Sequence, residues 1–314
     1  MLGPPAPDPF DPGLLRRGRD LRASGSEPAR DPSWRHVRHG VWIPAQRWAH
    51  LTPEQRHAAL VHATAGCLDR DDPVFALASA AAVWGLPRTD AWPDAVSVLV
   101  RHSHRGRGSS LVRPHVGRPA TGAERSGLRV TSAARTVVDL ARTGSLANAV
   151  AAADHALRHG LCSHEELVAE CDEVPPRVRG RRTARLVVAL ADGRSMSAGE
   201  SLSRVQMFLL NLPRPRLQEE VCDEEGRIGF VDFAWHGVVG EFDGRVKYGV
   251  DPDGSPEQAS EILWQEKRRK DRLRRRLRVA RWAWADAMDR HRIGRVLARQ
   301  GVRSQPVNTW FESA

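Results

Sequence analysis

Ile228-Gly-Phe-Val-Asp-Phe-Ala-Trp235, then His236-Gly237, then Val238-Val-Gly-Glu-Phe242 is the stretch that decides how this chain reads. β-Branched and aromatic residues dominate both runs, and His236-Gly237 can turn the chain between them. The spacing predicts two strands of an antiparallel hairpin. With a two-residue loop, Trp235 pairs with Val238, Phe233 with Gly240 and Asp232 with Glu241. Residues directly opposed in this way hold their Cβ atoms about 4.5–5.5 Å apart. Side chains alternate along a strand, so Asp243 shares the face of Glu241. Three carboxylates then crowd one patch of an otherwise apolar hairpin. Like charges directly opposite each other destabilise a sheet, and a divalent cation offsets that most simply. Mg²⁺, or Mn²⁺ in its place, takes oxygen ligands, with one or two carboxylates completed by water and substrate phosphate. Two plainer readings stand beside this one. One acid can simply face solvent on an edge strand, or a loop one residue longer can shift the register and part the acids.

The flanks extend the pattern in both directions. Leu217 to Val221 reads as a preceding strand, with Asp223-Glu-Glu-Gly226 as the turn into the hairpin. Before it, Ser197 to Asn211 has helical spacing, with Leu202, Val205, Leu209 and Leu212 as the core stripe. Ser197 can cap that helix, with Glu200 three residues on as in a capping box. Glu200 lies off the stripe. It is either an acid for the site or a capping residue that also pairs with Arg204 at i,i+4. After the hairpin, Ser255 to Leu277 reads as a helix dense in Lys and Arg. Arg278 to Trp284 reads as a strand, with Trp282 and Trp284 on one face.

These residues carry a resemblance. Val231-Asp232-Phe233, then Gly240-Glu241-Phe242-Asp243-Gly244, then Lys247, resembles the PD-(D/E)XK nuclease superfamily, in particular its very-short-patch-repair-like branch of endonuclease domains. That branch reads V-D-F, a short loop, E-x-D-G and soon a basic residue or His. A basic helix with D-x-x-R follows, here Asp271-Arg-Leu-Arg274, and then a strand with an Arg-aromatic pair, here Arg281-Trp282. The likeness covers about 100 residues. It implies a restriction-endonuclease-like mixed sheet flanked by helices. Asp232 and Glu241 would bind the metal, Glu200 would be the acid of the preceding helix, and Asp243 would hold a metal-bound water or a second ion. Lys247 would polarise the attacked phosphate or orient water. The sequence departs from the superfamily in placing Asp243 where its Lys usually stands.

The front half has its own likeness. His39-Gly40-Val41-Trp42-Ile43-Pro44 is similar to a strand motif of abortive-infection type IV antitoxins. Ser79-Ala80-Ala81 with Trp84-Gly85-Leu86-Pro87 fits the same family, as does Arg129-Val130-Thr131-Ser132 running on to Asp139-Leu140. The match spans about residues 10–160. It implies a winged helix that binds DNA, followed by a helix-rich domain that supports neutralisation of a toxin-like protein partner. Trp84, Leu86 and Val137 are equally well read as core residues. Around these motifs the patterns predict a hairpin at 34–43, helices at 52–68 and 76–84, and strands at 95–100 and 128–130. Helices follow at 131–142, 146–158, 164–171 and 177–190.

The expected fold class is therefore α+β or α/β in two domains. Residues 1–30 read as a loose tail in which Pro12 to Ser24 can hold a short helix. Residues 31–190 form the antitoxin-like region, 195–300 the nuclease-like domain and 301–314 a tail. Asp192-Gly193 marks the boundary.

Composition narrows the function classes. The chain has 314 residues, 41% of them hydrophobic, with no apolar run of the roughly 18–20 residues that span a bilayer. Its Pro-rich start lacks an apolar signal core, so a cytoplasmic protein without membrane attachment is expected. Cys67, Cys162, Cys171 and Cys222 form no C-x-x-C pair and read as buried free thiols. Residues 261–300 hold 14 Lys/Arg against 5 Asp/Glu, a net of +9 in a chain whose total is +10. Such a block favours a polyanionic partner, DNA first. Lys267, Arg268, Lys270, Arg274, Arg275 and Arg281 are the candidate phosphate contacts, and a solvated face in an Arg-rich chain is the plain alternative. Three functions follow: a Mg²⁺-dependent DNA endonuclease with a targeting domain, a non-enzymatic DNA-binding regulator or antitoxin with a degenerate nuclease fold, or a nuclease acting on RNA.

Overall fold

The computed structural model describes residues 10–68, 73–100, 111–118, 122–244 and 256–311. Within them the protein is a mixed α/β chain that divides into two compact units, Met1–Ala191 and Asp192–Ala314. Among the described residues no helix is long and apolar enough to cross a membrane.

Unit 1 opens with a 3-10 turn, Pro12–Leu14, then β1 (Arg16–Arg17) and α1 (Gly18–Ala23). β2 (Trp34–Arg38) and β3 (Val41–Pro44) form the expected hairpin, turning at His39-Gly40. Residues 10–30 are not a loose tail. β1 pairs with β3 to complete a sheet of order β1-β3-β2, and Phe10 is buried against Ile43, Ala58, Ala59 and Ala82. A two-residue strand is held by backbone groups alone, so it leaves no alternation to read. α2 (Ala45–His50) follows, then α3 (Pro53–Ala65), which Thr52 and Gln55 start with a full capping box. α4 (Leu77–Trp84) stops at Gly85. β4 (Val96–Val100) and β5 (Val112–Val116) pair in parallel, and β6 (Ala123–Arg125) and β7 (Leu128–Val130) form a hairpin. The basic loop at Arg101–Gly108 lies outside the described residues.

Phe75 bridges Val98 of β4 and Val130 of β7, and its ring centres a core with Val61, Ala80, Val83 and Val96. Ser132 caps α5 (Ala133–Thr143), and α6 (Leu146–Arg158), α7 (His164–Asp172) and α8 (Arg181–Leu190) complete the unit. Five alanines of α6, from Ala149 to Ala156, are fully buried, because small side chains let helices approach closely. Of the four thiols, all free, Cys162 and Cys171 are buried as expected, Cys67 is half-buried and Cys222 is exposed.

Unit 2 begins with α9 (Ala198–Leu209), then β8 (Arg216–Asp223), β9 (Gly226–Trp235) and β10 (Val238–Asp243) as an antiparallel meander. α10 (Pro256–Arg276) carries the chain over to β11 (Arg278–Ala283), which pairs in parallel with β10. A parallel neighbour requires such a crossover, and a helix is the usual one. The sheet order is β11-β10-β9-β8. Leu273 of α10 packs on Val231, Ala234 and Val239. Trp282 stacks near Phe233, with ring centres 5.3 Å apart, and its indole N–H donates to Ser203 Oγ of α9 at 2.8 Å.

Trp284 does not continue β11. It opens α11 (Trp284–Ala287), with α12 (Arg290–Arg299) after it, and stands exposed against the edge of Phe242. The last stretch is not a simple tail either. Trp310 is 1% exposed, and its indole N–H donates to the Leu212 carbonyl at 2.8 Å. One large aromatic is enough to anchor a segment that has no periodicity.

Candidate functional site

The hairpin turns where the sequence puts the turn. Trp235 pairs with Val238, Ala234 with Val239 and Phe233 with Gly240. The ladder ends there. Where Asp232 would next oppose Glu241, the Asp232 carboxylate Oδ2 instead accepts the backbone N–H of Phe242 at 2.8 Å. A side chain thus takes the place of a ladder carbonyl, and the two strands part around a cavity of about 390 Å³. Asp232, Glu241, Asp243, Gln218, Arg269 and Arg281 are among its lining residues.

Glu200 reaches the same acids by an intermediary. Ser197 Oγ caps α9 by accepting the Glu200 N–H at 3.2 Å, and the Glu200 carboxylate accepts the Met196 N–H at 2.8 Å and the Ser197 hydroxyl at 2.9 Å. Its Oε2 also accepts from Gln218 Nε2 at 3.1 Å, and the same amide donates to Asp232 Oδ1 at 3.3 Å. Glu200 therefore does capping work and is also joined to Asp232 through Gln218. Gln218 sits at φ +49°, a left-handed conformation uncommon outside glycine. Strained backbone of this kind costs on the order of 1–3 kcal/mol and persists where the surroundings fix it, as at binding sites. Gly199 lets the start of α9 descend onto the sheet, because a Cβ there would stand 2.1 Å from the Phe242 ring.

Glu241 is held by cations. Arg269 Nη2 donates to its Oε1 at 2.7 Å, and Arg281, its in-register neighbour on β11, pairs with Oε2. The crowding of carboxylates expected from the hairpin is thus offset by two guanidiniums on Glu241 and by the Gln218 amide and Phe242 N–H on Asp232. Asp243 stands exposed at the end of β10. Lys247 lies outside the described residues.

The basic residues of α10 do not form one face. Arg268 and Arg275 pair with Glu225 at 3.3 and 2.8 Å, Arg272 with Asp223, and Arg276 with Glu224. The acidic turn between β8 and β9 thus neutralises much of the helix. Hydrogen bonds from Arg272 hold the Asp223 carboxyl below the usual carboxylate range, and those from Arg275 and Arg268 do the same for Glu225. Lys270 pairs with Glu266 at 3.3 Å, and Arg281 belongs to the cavity. Lys267 and Arg274 are exposed and enter no ion pair among the described residues. Trp264 is exposed on the same helix, with the Arg268 guanidinium 5.7 Å from its ring centre.

The donors suit a hard divalent cation in kind. Asp232 and Glu241 supply carboxylate oxygens to one cavity, the set that Mg²⁺ takes when water and phosphate complete its shell. Among the described residues no three of His, Cys, Asp and Glu converge closely enough to hold an ion by themselves. Gln218, Glu266 and Arg269 are the site residues that the sequence did not single out. Gln218 stands in a strand of mixed polarity, and Arg269 is one of many basic residues on its helix.

No protein-family model matches the chain. Two curated proteins of Mycobacterium tuberculosis are similar to it: uncharacterized protein MT2308 of strain CDC 1551 / Oshkosh and uncharacterized protein Rv2248 of strain ATCC 25618 / H37Rv. Each is 38% identical over 113 residues, which is 35% of this chain. The chain spans 40% of the length of these relatives, and their names carry no activity across to it.

Proposed function

We propose that unit 2 is a divalent-cation-dependent nuclease domain that hydrolyses phosphodiester bonds, in DNA first, with Asp232 and Glu241 as the cation ligands. The observation that carries this reading is one cavity lined by both carboxylates and by two guanidiniums, with Glu200 joined to Asp232 through Gln218. Anionic ligands and phosphate-binding cations side by side are what phosphodiester hydrolysis needs. When bound, Mg²⁺ or Mn²⁺ would polarise a phosphoryl oxygen and acidify a coordinated water. The chain's own residues do the rest. Gln218 and the Phe242 N–H fix the Asp232 carboxylate, and Glu200 fixes Gln218. Arg269 and Arg281 place positive charge where a phosphate would enter, and charge fixed in advance stabilises the charge that develops in the transition state. Lys267 and Arg274 offer further contacts to the backbone of the nucleic acid, and Trp264 offers a ring on which a base can stack.

Unit 1 is read as the targeting or regulatory part. Its three-stranded β1-β3-β2 sheet beside α1 to α3 is compatible with a winged-helix-like start, and the helices that follow with a surface for a toxin-like protein. A second reading, a DNA-binding regulator whose nuclease site is degenerate, is favoured by Asp243 at the usual Lys position and by the arginines that already occupy Glu241.

Nicking of supercoiled plasmid with Mg²⁺ or Mn²⁺, compared between wild type and Asp232→Ala/Glu241→Ala, separates the two. Metal-dependent nicking that the double variant loses supports the nuclease. Salt-sensitive DNA binding without nicking in either protein rejects it in favour of the regulator.

A further inference from the structure

Glu241 cannot be an open ligand as it stands, since Arg269 engages one carboxylate oxygen and Arg281 the other. A cation arriving at Glu241 must displace a guanidinium or share its oxygen. We propose that these two arginines gate the cation. They hold Glu241 until a phosphodiester enters, then transfer to the phosphate, so that cation and phosphodiester bind with positive coupling. This rests on the nuclease reading of the same cavity.

Three features point this way. A guanidinium fork fits carboxylate and phosphate with the same bidentate geometry, so the two anions compete for the same donors. Arg269 is anchored independently of Glu241, and both arginines have a second acid in reach. Arg269 also donates to the Phe230 carbonyl at 2.7 Å and lies 3.6 Å from Glu266, and Arg281 lies 4.0 Å from Glu266. Releasing Glu241 therefore leaves neither of them without an acid beside it. Finally, the pair lies on the wall of an open cavity with each arginine side chain about a quarter exposed, so exchange requires no unfolding.

The two ligands relieve each other's obstacle. The phosphate draws the guanidiniums off Glu241, and the cation draws Glu241 off the guanidiniums. By linkage each must then tighten the other by the same factor, and couplings of this kind commonly amount to about 5- to 150-fold.

The test is Mn²⁺ binding to the full chain, read from loss of the free aquo-ion's electron paramagnetic resonance signal, with and without a short phosphorothioate DNA duplex. Wild type, Arg269→Ala, Arg281→Ala and Arg269→Lys are compared, the last in case truncation impairs folding. In wild type the duplex tightens Mn²⁺ binding within the range above. In the alanine variants Mn²⁺ binds more tightly than in wild type without the duplex, and the duplex adds little. Arg269→Lys, a point charge without the fork, falls between them. Equal Mn²⁺ affinity and equal coupling in all four proteins overturns the gate while leaving the nuclease reading in place. No Mn²⁺ binding by any of them, with or without duplex, overturns both.

Discussion

In unit 1, Arg135 and Asp139 meet at 2.6 Å with both side chains 9% exposed; in unit 2, Arg269 meets Glu241 at 2.7 Å on the wall of an open cavity. The contacts are nearly identical, and their surroundings make them different devices. The Arg135–Asp139 pair is one turn apart on α5, and Arg142 donates to the same carboxylate at 3.2 Å. Glu170 lies 3.5 Å from Arg135 and the pair borders a cavity of its own of about 410 Å³, yet each side chain keeps only 9% of its surface exposed. The Arg269–Glu241 pair joins a helix to a strand, with Glu266 3.6 Å from Arg269 and the Arg269 side chain 26% exposed. Burial, not distance, decides whether an ion pair is structural or exchangeable.

Truncation on the two sides gives the largest contrast. Removing one member of a buried pair strands a charge and costs about 3–5 kcal/mol, and the cost falls as the pair gains access to solvent. Asp139→Ala should lower the urea midpoint of unit 1 more than Arg269→Ala lowers that of unit 2, where Arg281 still pairs with Glu241. Equal losses at both positions would erase the distinction drawn between them.

Acid sharpens the contrast. Burial pushes His57, His62 and His155 of unit 1 down to about 4 from an ordinary 6.5. A depressed histidine is protonated first in the unfolded chain, so its contribution is complete above about pH 6.5 and is lost as pH falls toward 4. In unit 2 the shifts that bear on acid pH among the described residues are on acids. Hydrogen bonds from Arg272, from Arg275 and Arg268, and from backbone N–H groups hold Asp223, Glu225 and Asp289 below their usual range. Their contribution is present above their ordinary values of 3.8 to 4.5 and is lost only below them. At pH 5, hydrogen exchange should therefore show unit 1 opening more readily than at pH 7, with unit 2 unaltered. Acceleration in unit 2 alone would contradict the assignment.

The smallest effect concerns α10. Lys267 and Arg274 stand free of ion pairs among the described residues, whereas Arg275 is engaged by Glu225. Lys267→Ala and Arg274→Ala should each lower the slope of log affinity against log salt for duplex DNA by about 0.9. Arg275→Ala should change it less. A larger loss for Arg275 than for the exposed pair would mean that the turn acids give way to DNA.

Much of unit 2 was legible in its sequence. Alternation gave the strands, His236-Gly237 gave the register, and Ser197 with Glu200 gave the start of α9, because each signal is local. The site was legible as a set of acids and no further. The hairpin pattern extends the ladder to Asp232 and Glu241, yet in the structure Asp232 breaks it by taking the Phe242 N–H. What neutralises Glu241 comes from α10 and β11, 28 and 40 residues along the chain, and a one-dimensional pattern does not carry that contact. The run of basic residues likewise does not show its own pairing. As a run it suggested a DNA-facing surface, and in three dimensions the turn at Asp223-Glu224-Glu225 takes up four of its arginines. The segments around Phe10 and Trp310 were missed because a single anchoring aromatic has no period.

The central claim is that Asp232 and Glu241 share one cation. Anomalous diffraction at the manganese edge, from crystals of the full chain grown with Mn²⁺, tests it most directly. A peak within coordination distance of both carboxylates, with Arg269 or Arg281 withdrawn from Glu241, is the expected result. An ordered site without a manganese peak, and with both arginines still on Glu241, would contradict it.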